Sequence, residues 1–95
     1  MSEWYIYLIR CNDNTLYTGI TIDVERRFKE HLSQGKKSAK YLRGKLPLKL
    51  VFQQKAGNRK EAAKLEIKVK KLSKASKEKI VATSSKIGHN LFLKK

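Results

Sequence analysis

The stretch Trp4-Tyr5-Ile6-Tyr7-Leu8-Ile9-Arg10-Cys11 constrains the fold more than any other part of this 95-residue chain. Its aromatic and β-branched side chains favour an extended backbone. With a side-chain period of two, Tyr5, Tyr7 and Ile9 share one face and Trp4, Ile6 and Leu8 the other. A strand that is apolar on both faces belongs in the middle of a sheet. Asn12-Asp13-Asn14 is a turn cluster, and residues 15–21 behind it read as a second strand, which makes a β-hairpin. After Pro47, residues 48–54 alternate well enough for a third strand. Paired tyrosines such as Tyr5 and Tyr7 on a buried strand are more often core than catalytic, but a buried hydroxyl needs a polar partner.

Between the second and third strands the apolar period changes from two to that of a helix. Asp23 is a good N-cap, Val24, Phe28 and Leu32 lie on one helical face, and Gly35 is a stop, so the spacing predicts a helix over 24–34. At about 100° per residue, Arg26 points away from the apolar stripe, while Arg27 and His31 are neighbours along one border of it. A guanidinium fork beside an imidazole, close to a strand that carries Tyr17 and Gly19, suits holding and cleaving a phosphate ester. The competing reading is an ordinary solvated Arg-rich face. Gly19 likewise has two readings, relief of crowding within the sheet or close approach of a backbone or ligand.

Further on, Asn58 with Glu61 forms a capping box for a helix over 59–72, whose apolar face is Ala62, Leu65, Val69 and Leu72. Glu66 lies on the border of that face. It is either an ion-pair partner for the neighbouring lysines or a carboxylate able to hold a divalent cation. A short Lys-rich helix over 74–82 closes onto the core through Ile80 and Val81, and residues 83–95, without periodicity, read as a tail or extension. The expected architecture is α+β, a three-stranded antiparallel sheet flanked by helices, in one domain over residues 1–82 with a single modest core.

The charge is uneven. Residues 1–35 carry 4 basic and 5 acidic side chains, whereas residues 36–95 carry 19 and 3, a net +16. A surplus of this size favours a polyanion, since each phosphate neutralised by Lys or Arg releases counterions. Solubility and an acidic membrane surface are the alternatives, and the second is disfavoured because no basic amphipathic helix with a broad aromatic face occurs. Residues 36–45 interleave five Lys or Arg with Tyr41, a pattern suited to tracking phosphates and stacking bases. Lys36, Lys37, Lys40 and Arg43 are the candidate nucleic-acid contacts, and Ser38 is a candidate cap for a short helix there. The single Cys11 excludes an intramolecular disulfide and lacks the partners of a zinc site, and the apolar run 4–9 is too short for a membrane span. A cytoplasmic protein is expected.

Two tyrosine-bearing strands, a glycine two residues after the second tyrosine, an Arg on the next helix and a Glu on a later one together resemble the GIY-YIG nuclease family over about residues 4–82. Tyr5-Ile6-Tyr7 stands at the GIY motif, Tyr17-Thr18-Gly19 at the YIG motif, and Asp23-Val24-Glu25-Arg26-Arg27-Phe28 where the family places its Arg. The small stand-alone bacterial members carry similar Ala-Lys-Tyr-Leu-Arg and Lys-Lys-Leu-Ser-Lys-Ala segments. The resemblance implies that Tyr7 and Tyr17 are site tyrosines, that Arg27 binds the phosphate and that Glu66 ligates one divalent metal, Mg2+ or Mn2+. His31 matches a histidine one turn after the Arg in some members. This sequence departs from the pattern at Tyr5 in place of Gly and Thr18 in place of Ile, and it has no clear match for the Asn of repair-type members. The expected function is a metal-dependent endonuclease on DNA, structure-specific and linked to repair or stress, with RNA as an open alternative substrate. A nucleic-acid-binding module that kept the fold with little cleavage is the second reading.

Overall fold

The computed structural model describes residues 3–83. The elements follow in the order β1 (Trp4–Arg10), β2 (Leu16–Thr21), α1 (Val24–Leu32), a single 3-10 turn (Lys40–Leu42), β3 (Lys49–Gly57), α2 (Arg59–Lys70) and α3 (Lys74–Thr83). Beyond Thr83 the expected tail lies outside the described residues. The sheet is antiparallel in the order β2-β1-β3, so the doubly apolar strand is indeed the central one. Asn14 turns the hairpin at φ 67°, a left-handed position that Asn tolerates because its short side chain bonds locally. β3 runs past the expected residue 54 to Gly57, because Lys55 and Gly57 go on pairing with Tyr5 and Trp4 although their own strand propensity is low.

Where one modest core was expected, the buried side chains form two clusters, one on each face of the sheet. Tyr7, Ile9, Cys11, Val24, Leu42 and Leu48 make the first. Ile6, Leu8, Leu65 and Val69 make the second, with Ile80 and Val81 of α3 packed against it. The correction follows from the alternation of β1 itself, since each face needs its own cover and the chain supplies α1 with the 3-10 turn on one side and α2 with α3 on the other.

α1 begins as expected, with the Asp23 carboxylate accepting from the Arg26 N–H at 3.0 Å. It ends at Leu32 rather than near residue 34, and the left-handed residue is Gln34 at φ 60°, not Gly35. The side chain of Gln34 holds that conformation: Nε2 donates to the carbonyls of His31 and Leu42 at 3.0 Å each, and Oε1 accepts from the Gly44 N–H at 2.6 Å. Ser38 is buried but caps nothing; Ala39 stands at the N-cap of the 3-10 turn. The capping box of α2 is present in both directions, each bond 2.9 Å long. At the other end of β1, Arg10 donates to both oxygens of Glu78 at 2.7 Å and so pins α3 to the sheet. Among the described residues no helix is long and apolar enough to cross a membrane.

Candidate active site

The residues that meet do so because β1 and β2 are in register. Tyr7 stands directly opposite Gly19, and a Cβ on Gly19 would collide with the hydroxyl and ring of Tyr7. Of the two readings of this glycine the first holds: its missing side chain is the space that the Tyr7 phenol occupies. Tyr17, two residues earlier on the same face of β2, places its ring centroid 6.4 Å from that of Tyr7.

α1 then lays His31 over the tyrosines. Its ring centroid is 6.0 Å from Tyr7 and 5.7 Å from Tyr17, and its Nε2 is 2.9 Å from the Tyr7 hydroxyl. His31 is 0% exposed, whereas Leu32, assigned to the apolar stripe by its spacing, is 40% exposed. Seven residues after Val24, His31 lies nearer the centre of the stripe than Leu32 does, and its polarity had disguised that. The second ring nitrogen, Nδ1, accepts from the backbone N–H of Ala39 at 3.2 Å. That bond fixes the neutral tautomer with its proton on Nε2, so His31 donates to the Tyr7 oxygen. Burial, with the charge of Arg27 added, lowers the pKa of His31 to about 4, which keeps it neutral at pH 7. Both nitrogens are therefore engaged within the protein, and His31 stands behind Tyr7 rather than facing solvent.

Arg27, one turn before His31, donates to Glu30 at 2.8 Å and to the carbonyl of Lys37. Its charge reaches Tyr7, Tyr17 and His31. Burial, reinforced by Tyr17, raises the pKa of the Tyr7 phenol far above its ordinary value, and Arg27 opposes this without overcoming it. Tyr17 is raised as well, by burial first, with Arg27 and Lys70 pulling the other way. Tyr7 is buried while Tyr17, Arg27 and Glu66 are all part exposed, so the wet edge of the cluster is formed by the latter three.

Glu66, on α2, joins the group through its charge, which acts on both tyrosines. Its direct partner is Lys70, 3.4 Å away and one helical turn on. Lys70 was not singled out among the lysines of this helix, although its i,i+4 spacing from Glu66 is a readable signal. The Ala39 amide, by contrast, leaves no trace in sequence, because any residue but proline supplies it. Lys36, Lys37 and Lys40 are exposed on the segment that follows α1, and Arg43 reaches back to the carbonyls of Lys36 and Ser38 at 3.3 and 3.4 Å.

The model of the GIY-YIG catalytic domain matches residues 3–79. A UPF0213 protein of Cronobacter sakazakii is 57% identical over 86% of this chain and 84% of its own length. The UPF0213 protein YhbQ of Escherichia coli K12 is 54% identical over 86% and 80%. Among solved structures, the UPF0213 protein BH0048 from Bacillus halodurans superposes with a TM-score of 0.55 at 38% identity, covering 98% of each chain. The protein EF2693 from E. faecalis does so with a TM-score of 0.60 at 33% identity, covering 88% of each. By the extent of the domain match and by these small bacterial relatives, the chain belongs to the GIY-YIG family.

Proposed function

We propose that this protein is a metal-dependent endonuclease that hydrolyses phosphodiester bonds in DNA, a cytoplasmic enzyme acting on irregular DNA structures in repair or stress. The observation that carries the reading is the convergence of Tyr7, Tyr17 and His31 from β1, β2 and α1 into one aromatic group within the field of Arg27 and Glu66. Hydrolysis of a phosphodiester needs a cation for the charge that builds on phosphorus, a group to receive the proton of the attacking water, and stabilisation of the departing oxygen. Arg27 supplies the fixed cation, with a guanidinium fork matched to phosphate oxygens. Tyr17 is the tyrosine at the wet edge; burial raises its pKa and only Arg27 and Lys70 pull the other way, so it can take the water's proton only once a further positive charge, such as a divalent cation near Glu66, has ionised its phenol. Tyr7 and His31 form the wall behind it and hold the ring in place.

Glu66 is the one residue of the cluster suited to a divalent cation. Among the described residues no group of three or more His, Cys, Asp or Glu stands together. A single carboxylate, with water and phosphate oxygens in the remaining positions, fits Mg2+ or Mn2+, which keep several waters when bound. When bound there, the ion would polarise the phosphate and stabilise the leaving oxygen.

Glu66→Gln tests this directly. The change keeps size and removes the anionic ligand, so cleavage of labelled branched and linear DNAs should fall by at least about a hundredfold, while binding persists or tightens. A folded Glu66→Gln protein that cleaves at the wild-type rate with the same metal dependence overturns the reading. Binding without cleavage by the wild-type chain, across that whole panel, establishes instead a module that kept the fold for binding alone.

A further inference from the structure

Tyr41 lies beside this cluster and the chemistry above leaves it without a task. It shares the 3-10 turn with Leu42, but their environments are opposite: Leu42 is 0% exposed and Tyr41 is 47% exposed. Leu42 therefore does the packing. The Tyr41 ring is nonetheless held in one orientation from three sides. It stacks on Tyr17 with centroids 6.0 Å apart and planes 20° from parallel. Its hydroxyl donates to Thr15 Oγ1 at 3.0 Å. The ammonium of Lys45 sits 3.8 Å from the ring centroid and is itself paired with Asp13 at 2.9 Å.

An exposed aromatic ring fixed against a site tyrosine, with an ammonium over its face, offers what a single nucleotide requires, a stacking surface and a cation within one nucleotide's reach. We propose that Tyr41 and Lys45 bind one unpaired nucleotide beside the phosphate to be cut, the attached phosphate drawing the Lys45 ammonium off the ring and away from Asp13, and the base stacking on the Tyr41 face that the ammonium leaves. Inside a duplex both faces of a base are covered by its neighbours, so the ring receives only a base that is unpaired or at an end. The Lys45–Asp13 pair is partly exposed, and a phosphate offers the ammonium an anionic partner in place of the Asp13 carboxylate. The inference rests on the nuclease reading for its class of ligand, nucleic acid, and for the neighbouring cut, but not on cleavage taking place.

Binding measured with EDTA present separates the two. The probes are a short oligothymidylate, an abasic strand of the same length, and the oligothymidylate with 2-aminopurine at one position. The wild-type chain should prefer the base-bearing strand and quench 2-aminopurine. Tyr41→Ala should lose about tenfold in affinity for the oligothymidylate and less than about twofold for the abasic strand, as expected when one stacking partner is removed. Tyr41→Phe keeps the ring and should bind both strands as the wild type does. Equal losses on both strands, or no loss on either, overturn the inference. Should Tyr41→Ala fail to fold, the wild-type comparison still decides, since equal affinity for the two strands without quenching overturns it as well. Preference for bases in a chain that never cleaves DNA refutes the nuclease reading alone, and cleavage by a chain indifferent to bases refutes this inference alone.

Discussion

His31 acts through its two nitrogens, one occupied by the Ala39 amide and the other by Tyr7. That arrangement has a cost that can be measured in stability. The unfolded chain takes up a proton at the ordinary histidine pKa of about 6.5, whereas the folded chain resists protonation down to about pH 4. Between those values the unfolded state binds more protons, so the stabilising contribution is complete above about pH 6.5 and is lost as the pH falls toward 4. Going from pH 7 to pH 5 should remove about 2 kcal/mol of unfolding free energy through this one group. Urea unfolding at the two pH values checks the figure, and His31→Gln, which does not titrate, should flatten the dependence whatever it does to stability at pH 7. An unaltered slope in that variant would mean another group is responsible. At this scale the sequence was legible in part. Arg27 and His31, close to the strand with Tyr17 and Gly19, pointed to phosphate chemistry by residue type, and Tyr7 and Glu66 joined them only through the family resemblance; the i+7 spacing from Val24 that buries His31 was hidden by reading the stripe through apolar residues only. The two meanings of Gly19 could not be separated until the register placed Tyr7 opposite it.

Elements were more legible than residues. Every strand and α-helix overlaps the span the periodicity gives it, because apolar alternation and capping are local signals, although α2 stops at Lys70 and leaves Leu72 beyond its end. The ends moved where a distant partner intervened: β3 is lengthened by pairing with β1, and α1 is closed by the side chain of Gln34 reaching Leu42 and Gly44. One feature of β2 runs against its surroundings. Thr18, paired with Leu8, is 3% exposed, and its hydroxyl has no hydrogen-bond partner among the described residues. A buried, unpaired hydroxyl is a standing penalty, so Thr18→Val, which conserves shape, should stabilise the chain by about 1 kcal/mol. Thermal unfolding measures it. A loss of stability on this substitution would show that the hydroxyl has a partner, and a loss of cleavage without a loss of stability would tie Thr18 to the site on the other face of the sheet.

For the molecule as a whole, charge was the most legible property and its use the least. A net +16 over residues 36–95 favours a polyanionic partner, but does not say which lysines would meet it, because lysines outside the core obey no periodicity. The fold narrows the choice. The segment with Lys36, Lys37 and Lys40 follows directly on the helix that carries Arg27, and the Arg27 guanidinium is bonded to the Lys37 carbonyl, so these lysines continue the cationic edge of the candidate site. Arg43 is different in kind. Its guanidinium donates to the carbonyls of Lys36 and Ser38 and shapes the segment as well as charging it. Neutralising Lys36, Lys37 and Lys40 together should therefore weaken DNA binding and reduce the slope of log K against log salt by about 0.9 for each duplex phosphate no longer neutralised, or about 0.7 on a single strand. Adding Arg43→Gln should lower the melting temperature too, because the loop loses a tie. The comparison is with the same number of exposed charges removed from α2, at Lys60, Lys64 and Lys68. A larger fall in slope for the first set locates the nucleic acid along the segment after α1, and an equal fall for both sets means that the binding surface is the general positive field of the molecule and not this edge of it.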